Sequence, residues 1–354
     1  MLIAQSHMEY CCRFYTAKKA LHYSHNPQNE SSVLQSLHQP ITAHYTGKIK
    51  ILQQSKLSGG AFGLLYVLNT AIALTYIENI SSSINPLLLL WLTAIVATIA
   101  MHFCCYRRLG YIYNAILAHK KIFIIEIVTV FFIVLSSYFS CYAVGAALYI
   151  LGYFAISGLI ALFLTKPGTK NYRLFFSAIF CYSIVIIFIF KLMSIYPHGI
   201  LAITITSIGA ISGVIYLNYS KKRSQTSNLS ALEVLAVRYL LVIMIIPVVV
   251  PQIIYFNLFA FLHNNNIIQN SLVIIMVATT ALILPLYFNQ KALHHLHYTQ
   301  VALINALTPT VTLILSFLLH NHSMLHEQIA LLCLITFIAS YSSIKITMRN
   351  NLLT

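Results

Sequence analysis

Glu126 stands inside an apolar run, five residues after Lys121, and Arg238 stands inside another, seven residues after Ala231. Each run is long enough to cross a bilayer as a helix, where an ionised side chain costs about 2.5–3.5 kcal/mol unless it meets a partner or water. Glu126 is therefore a candidate for accepting a coupling proton or facing a solute; the plainer use is a carboxylate that snorkels or pairs near the interface. Arg238 lies at comparable depth from the same side. The two could pair and relieve both desolvation costs, or Arg238 could hold a solute carboxylate. Glu233, five positions earlier, is too near the interface to need such a role.

Neutral polar and aromatic residues in other apolar runs extend the set: Asn69, Tyr142, Tyr153, Ser212, Tyr287, Asn305 and Thr312. A site for a small polar solute needs a few such donors and acceptors among apolar walls, so these residues with Arg238 are expected to bind substrate. Hydrogen bonding between helices is the competing use of any single Ser or Thr. Asn69 and Asn305 carry more weight, because an amide must satisfy donors and an acceptor together. Tyr76, Trp91, Tyr106 and Tyr196 at run ends read more simply as interfacial anchors.

Histidines fall in two groups. His294, His295 and His297 could ligate a metal or sense pH, but no Cys or carboxylate stands beside them, and a solvated turn explains them as well. His320, His322 and His326 are equally ambiguous; the last two have metal-compatible spacing if helical. The seven cysteines form no CxxC, so no zinc site or disulfide framework is indicated. GxSxG, HExxH, Walker and GxGxxG patterns are missing, and the chain contains no Asp. No metal or cofactor and no enzymatic activity are expected, and pumping would have to draw on a solute or ion gradient.

The elements that position these residues are membrane helices. Charged residues make up 8% of the chain and apolar residues 59%, with a mean hydropathy of +0.81, where a soluble domain carries about a quarter charged residues. The apolar segments are long and lack the dyad alternation of barrel strands. Ten spans are expected, at 59–79, 86–105, 122–141, 145–164, 174–193, 198–217, 231–257, 271–291, 298–319 and 326–346. Residues 1–58 read as a cytoplasmic leader, disordered or with a short interfacial helix, and 347–354 as a cytoplasmic tail. With the N-terminus inside, all 21 Lys and Arg fall on the cytoplasmic side except Lys191, at the outer side, and Arg238, within a span. That is the positive-inside pattern, and it explains the net charge of +15 without nucleic acid. Both termini are then cytoplasmic. The Ile, Asn, His and Lys usage suggests an AT-rich bacterial genome, which places the chain in the inner membrane.

The chain is organised around Leu282–Leu319, two apolar runs joined by a basic, histidine-bearing turn, with Asn289, Gln290, Asn305, Thr308 and Pro309 set in or beside them. A span keeps such residues where protein or water faces them. A weak repeat accompanies this hairpin. Tyr138-Phe139-Ser140-Cys141-Tyr142-Ala143 ends the third span and Tyr287-Phe288-Asn289-Gln290-Lys291-Ala292 ends the eighth, each followed by a helix with a small or bending element, Ser157-Gly158 or Thr308-Pro309. Two five-helix halves, 59–193 and 198–346, would be inverted, with a solute site between them. Tyr287 and Asn305 would then face Tyr138–Leu164 across a cavity.

The second half resembles a known family. Ser230-Ala-Leu-Glu-Val-Leu-Ala-Val-Arg238 opens a span, followed by Leu286-Tyr-Phe-Asn-Gln-Lys-Ala292, by Ala306-Leu-Thr-Pro309 entering a long apolar helix, and by a closing helix after Glu327-Gln328. This is similar to the EamA-type domain of the drug/metabolite transporter superfamily, over about 59–346. The resemblance implies ten helices in two inverted five-helix repeats, and export of amino-acid-type metabolites or drugs more often than uptake. The chain departs from the family pattern in its second helix, which has Leu88-Leu89-Leu90-Trp91-Leu92 in place of an Arg, and in its fourth, with Ser157-Gly158 in place of a Pro. The expected function is secondary transport of a small polar or amphipathic metabolite, by a monomer or homodimer whose partners are the solute and membrane lipids. The alternatives are a membrane-embedded enzyme acting on a lipid-linked substrate, using Glu126, Arg238 or the histidines, and a receptor or scaffold without flux.

Overall fold

A computed structural model describes residues 57–81, 83–164, 172–227, 229–262, 267–296 and 298–320, with isolated positions between 334 and 341. The leader up to Lys56, His297, His322, His326 and the tail lie outside the described residues, as does nearly all of the tenth expected span. Among the described residues the protein is all helix, and eight helices are long and apolar enough to cross a membrane. A shorter apolar helix covers Leu303–Leu319.

Helix α1 spans Leu57–Ile80 and α2 Pro86–Cys104. The start of α2 is fixed by Asn85, whose Oδ1 accepts from the backbone N–H of Leu87 and Leu88, and by Pro86, whose lost N–H is of no account in a first turn. A further helix, α3, Leu109–Ala118, follows between the second and third expected spans. At ten residues it is too short to span. It buries Ile112 against Cys105, Phe123, Val234 and Val237 and leaves Tyr111 and Leu117 exposed.

Helix α4, Lys120–Val144, and α5, Ala146–Leu164, are separated by Gly145 alone, at φ 88°. Only glycine takes that left-handed backbone without strain. Glu78 accepts from the Ala146 N–H at 3.1 Å, where α5 begins. Helix α6 is Tyr172–Met193 and α7 is Gly199–Thr226. The expected end of the sixth span at 217 is thus too early: α7 runs on for more than two further turns and carries Arg223 into the interior, with 2% of its side chain exposed.

Helix α8, Ala231–Arg238, opens with a capping box in which Ser230 and Glu233 satisfy each other's backbone N–H groups. After Tyr239 the chain continues as α9, Leu240–Val249, and α10, Pro251–Leu262. Pro247 inside α9 has no N–H to offer the Ile243 carbonyl, and the Trp91 indole of α2 donates to that oxygen at 3.1 Å. Trp91, expected as an interfacial anchor, therefore repairs a helix.

Helix α11, Ile267–Val277, passes through a π-helical segment, Ala278–Ile283, into α12, Leu284–His295. The cause is local. Leu284 N–H reaches back to the Thr279 carbonyl, and Pro285 has no N–H with which to continue the series. The Thr280 carbonyl accepts instead from Asn69 Nδ2 at 2.6 Å, and the Leu282 carbonyl accepts from the Tyr239 hydroxyl at 2.6 Å. Helices α13, Tyr298–Asn305, and α14, Thr308–His320, complete the described chain. Helix α4 packs most extensively on α7, and α5 lies against α6, α7 and α14.

Candidate functional site

Four helices deliver charged and polar side chains to one buried point. Tyr216, Ser220 and Arg223 follow one another at i, i+4 and i+7, which sets them on one face of α7. Glu126 projects from α4, Arg238 from the last turn of α8, and Gln290 from α12. Arg223 Nε meets Glu126 Oε2 at 2.8 Å, and Arg223 Nη2 donates to Gln290 Oε1 at 2.5 Å. Gln290 Nε2 donates to the Tyr216 hydroxyl at 2.7 Å and to Ser220 Oγ at 2.6 Å. Arg238 Nη1 donates to the same Tyr216 oxygen at 2.6 Å, with its guanidinium 4.9 Å from the centre of the Tyr216 ring.

The expected pairing of Glu126 with Arg238 is present only at 3.7 Å, between Arg238 Nη2 and Glu126 Oε1, and Arg223 is the closer partner. Arg238 Nη2 makes no hydrogen bond. The side chains of all three ions are at most 2% exposed.

The charges do not balance. An arginine stays protonated inside a protein, so among the described residues two guanidiniums face one carboxylate. Arg223 sits in the last turn of its helix, where terminal carbonyls favour a cation by about 0.3–1 kcal/mol. A stacked aromatic adds about 2 kcal/mol when desolvated. Burying an ion costs several kcal/mol even after the protein relaxes, so these terms do not replace a counter-anion.

A cavity of about 90 Å³ lies between α1, α4, α5 and the segment from the π turn into α12, with Tyr66, Tyr138, Tyr149 and Tyr153 in its wall beside Pro285 and Leu286. That volume accepts a few waters and is well short of a metabolite pocket. Tyr138 shares a hydrogen bond with Thr93, and Tyr149 a longer one with Ser136. Tyr216 of the charged cluster packs together with Val130, Tyr138 and Tyr149 of the cavity wall.

The sequence-derived candidates separate into groups. Glu126 and Arg238 belong to the cluster, Tyr153 lines the cavity, and Ser212 is buried one turn before Tyr216 on α7. Asn69 has an amide hydrogen committed to Thr280, which is helix packing. Tyr142 is 46% exposed and joins neither region. Tyr287 packs on Met101, Leu235 and Ala236 with Lys291 Nζ 5.7 Å from its ring centre; it is Leu286, not Tyr287, that reaches the cavity. Asn305 and Thr312 are buried, and with Thr308 and Ser316 they form a stripe along one face of α13 and α14 whose side-chain oxygens have no hydrogen-bond partner among the described residues. His294 and His295 are exposed at the end of α12, and no group of three His, Cys, Asp or Glu side chains gathers among the described residues.

Arg223, Tyr216 and Ser220 escaped the sequence reading. Arg223 closes the run Lys221-Lys222-Arg223, which looks like a solvated loop. The Lys221 ammonium instead binds the Leu293 and Leu296 carbonyls at 2.7 and 3.2 Å and so closes the end of α12. The signal that could have found Arg223 is its seven-residue spacing from Tyr216.

No protein-family profile matches the chain, and no curated protein matches it. Among solved structures, one described as "Crystal structure of protein" aligns with 82% of this chain and 97% of its own, at 13% identity and a TM-score of 0.51. At that identity the likeness is one of fold and carries neither activity nor substrate.

Proposed function

We propose that the protein is a secondary transporter of a small polar or amphipathic metabolite, an exporter in the inner membrane of a bacterial cell, with ten helices in two inverted halves and both termini cytoplasmic. The observation that carries this reading is the Glu126, Arg223, Arg238 and Gln290 cluster. It ties α4, the third span, to α7, α8 and α12, the sixth to eighth. A buried ionic contact between halves that must move apart is a gate: closed it is held by charge, and open it hydrates its ions. The tyrosine-lined cavity beside it is the space that would expand to take solute. The resemblance of 59–346 to the EamA-type domain agrees with this reading.

Purified protein in proteoliposomes tests it. Efflux of a preloaded metabolite pool, compared with empty vesicles, is expected to be solute-selective and to fall at least tenfold on Tyr153→Ala. Flux equal to that of empty vesicles for every solute rejects transport. A solute recovered chemically altered indicates a membrane enzyme in its place.

A further inference from the structure

We infer that the Arg223 and Arg238 cluster is a binding site for the carboxylate of a small monoanion, and that the solute carries that group. The inference deepens the transport reading and rests on it only for the anion's passage; binding stands by itself. Two guanidiniums share the Glu126 carboxylate in a place that water hardly reaches, which leaves one positive charge uncompensated among the described residues. Arg238 Nη2 is a buried, charged donor that faces Glu126 Oε1 at 3.7 Å, beyond hydrogen-bond distance. A planar carboxylate matches the fork of a guanidinium with two parallel bonds. The Tyr216 and Ser220 hydroxyls lie within the same cluster and supply neutral donors to a second oxygen. Tyr216 also packs in one cluster with Val130, Tyr138 and Tyr149, which line the cavity, so the remainder of such a solute would meet an aromatic wall there.

Charge counting sets a test that a merely structural network would not pass. Thermal unfolding of the purified full chain is followed against sodium acetate, with ionic strength held by a bulky morpholinoethanesulfonate salt. The wild type is expected to gain stability saturably, because an anion bound only by the folded state shifts unfolding upward. Glu126→Gln leaves both guanidiniums without their carboxylate and is expected to reach half-effect at about tenfold lower acetate. Arg238→Gln is expected to lose the response. A flat wild-type response overturns the site, whether or not either variant can be purified. A response in Arg238→Gln equal to wild type overturns it as well, and an equal response to chloride overturns the carboxylate assignment. Labelled acetate and neutral amides are then offered to proteoliposomes. Saturable binding with no flux of any solute rejects transport and keeps the site; flux of neutral solutes with a flat acetate response rejects the site and keeps transport.

Discussion

Two carboxylates of this protein each meet an arginine at nearly the same distance, Glu126 with Arg223 at 2.8 Å and Glu233 with Arg108 at 2.7 Å. Geometry does not separate them, but water does. Arg108 is 56% exposed, so its pair trades hydration for contact at little gain, and Glu233 already serves its helix as a capping residue. The ions around Glu126 have no such refuge. The same contact is an accessory in one place and part of a water-excluded network in the other.

The largest effect is expected at the dry pair. Glu126→Gln strands two buried guanidiniums and is expected to cost about 3–5 kcal/mol, read as the change in unfolding free energy without added anion. A cost below that of an exposed pair would erase the contrast. Gly145→Ala extends the comparison to Glu78, a carboxylate held by backbone. A methyl group there must adopt φ 88° and would come within 2.9 Å of Glu78 Oε1, so a loss of about 1–2 kcal/mol is expected in the same assay.

Thr312→Val asks the question of a neutral group. Its hydroxyl is fully buried and unpartnered, so the apolar isostere is expected to raise stability by about 1 kcal/mol. Reduced flux from that more stable variant would mark the α14 stripe as a solute surface; unchanged flux would assign it to packing. Arg108→Ala closes the series. It is expected to cost less than about 1 kcal/mol, and that cost should shrink in high salt while the Glu126→Gln cost does not.

Eight of the expected spans were legible from the chain because long apolar runs are a strong, local signal. That Glu126 and Arg238 sit inside apolar helices, buried by them, was legible for the same reason. What escaped depends on where a side chain finds its partner. Arg223 looks like its two lysine neighbours until α7 is known to continue beneath it. Trp91 looks like an anchor until Pro247, more than a hundred positions away, is seen to leave a carbonyl open. The π segment follows from Pro285, yet the residues that answer it, Asn69 and Tyr239, come from other helices. Helix α3 has too few residues for a periodic pattern to stand out.

The single residue between α4 and α5 has a mechanical consequence. With only Gly145 joining them, the two helices have no slack loop in which a relative displacement could be lost. Glu126 lies nineteen residues before Gly145, an arm of about 28 Å at 1.5 Å per residue. Rocking α4 by roughly 5° about that pivot carries the carboxylate about 2.4 Å, given this arm length. Directed away from Arg223 and added to the 2.8 Å contact, that stroke takes the pair to about 5 Å, past ion-pair distance, so a small tilt at Gly145 would part the charges at the other end.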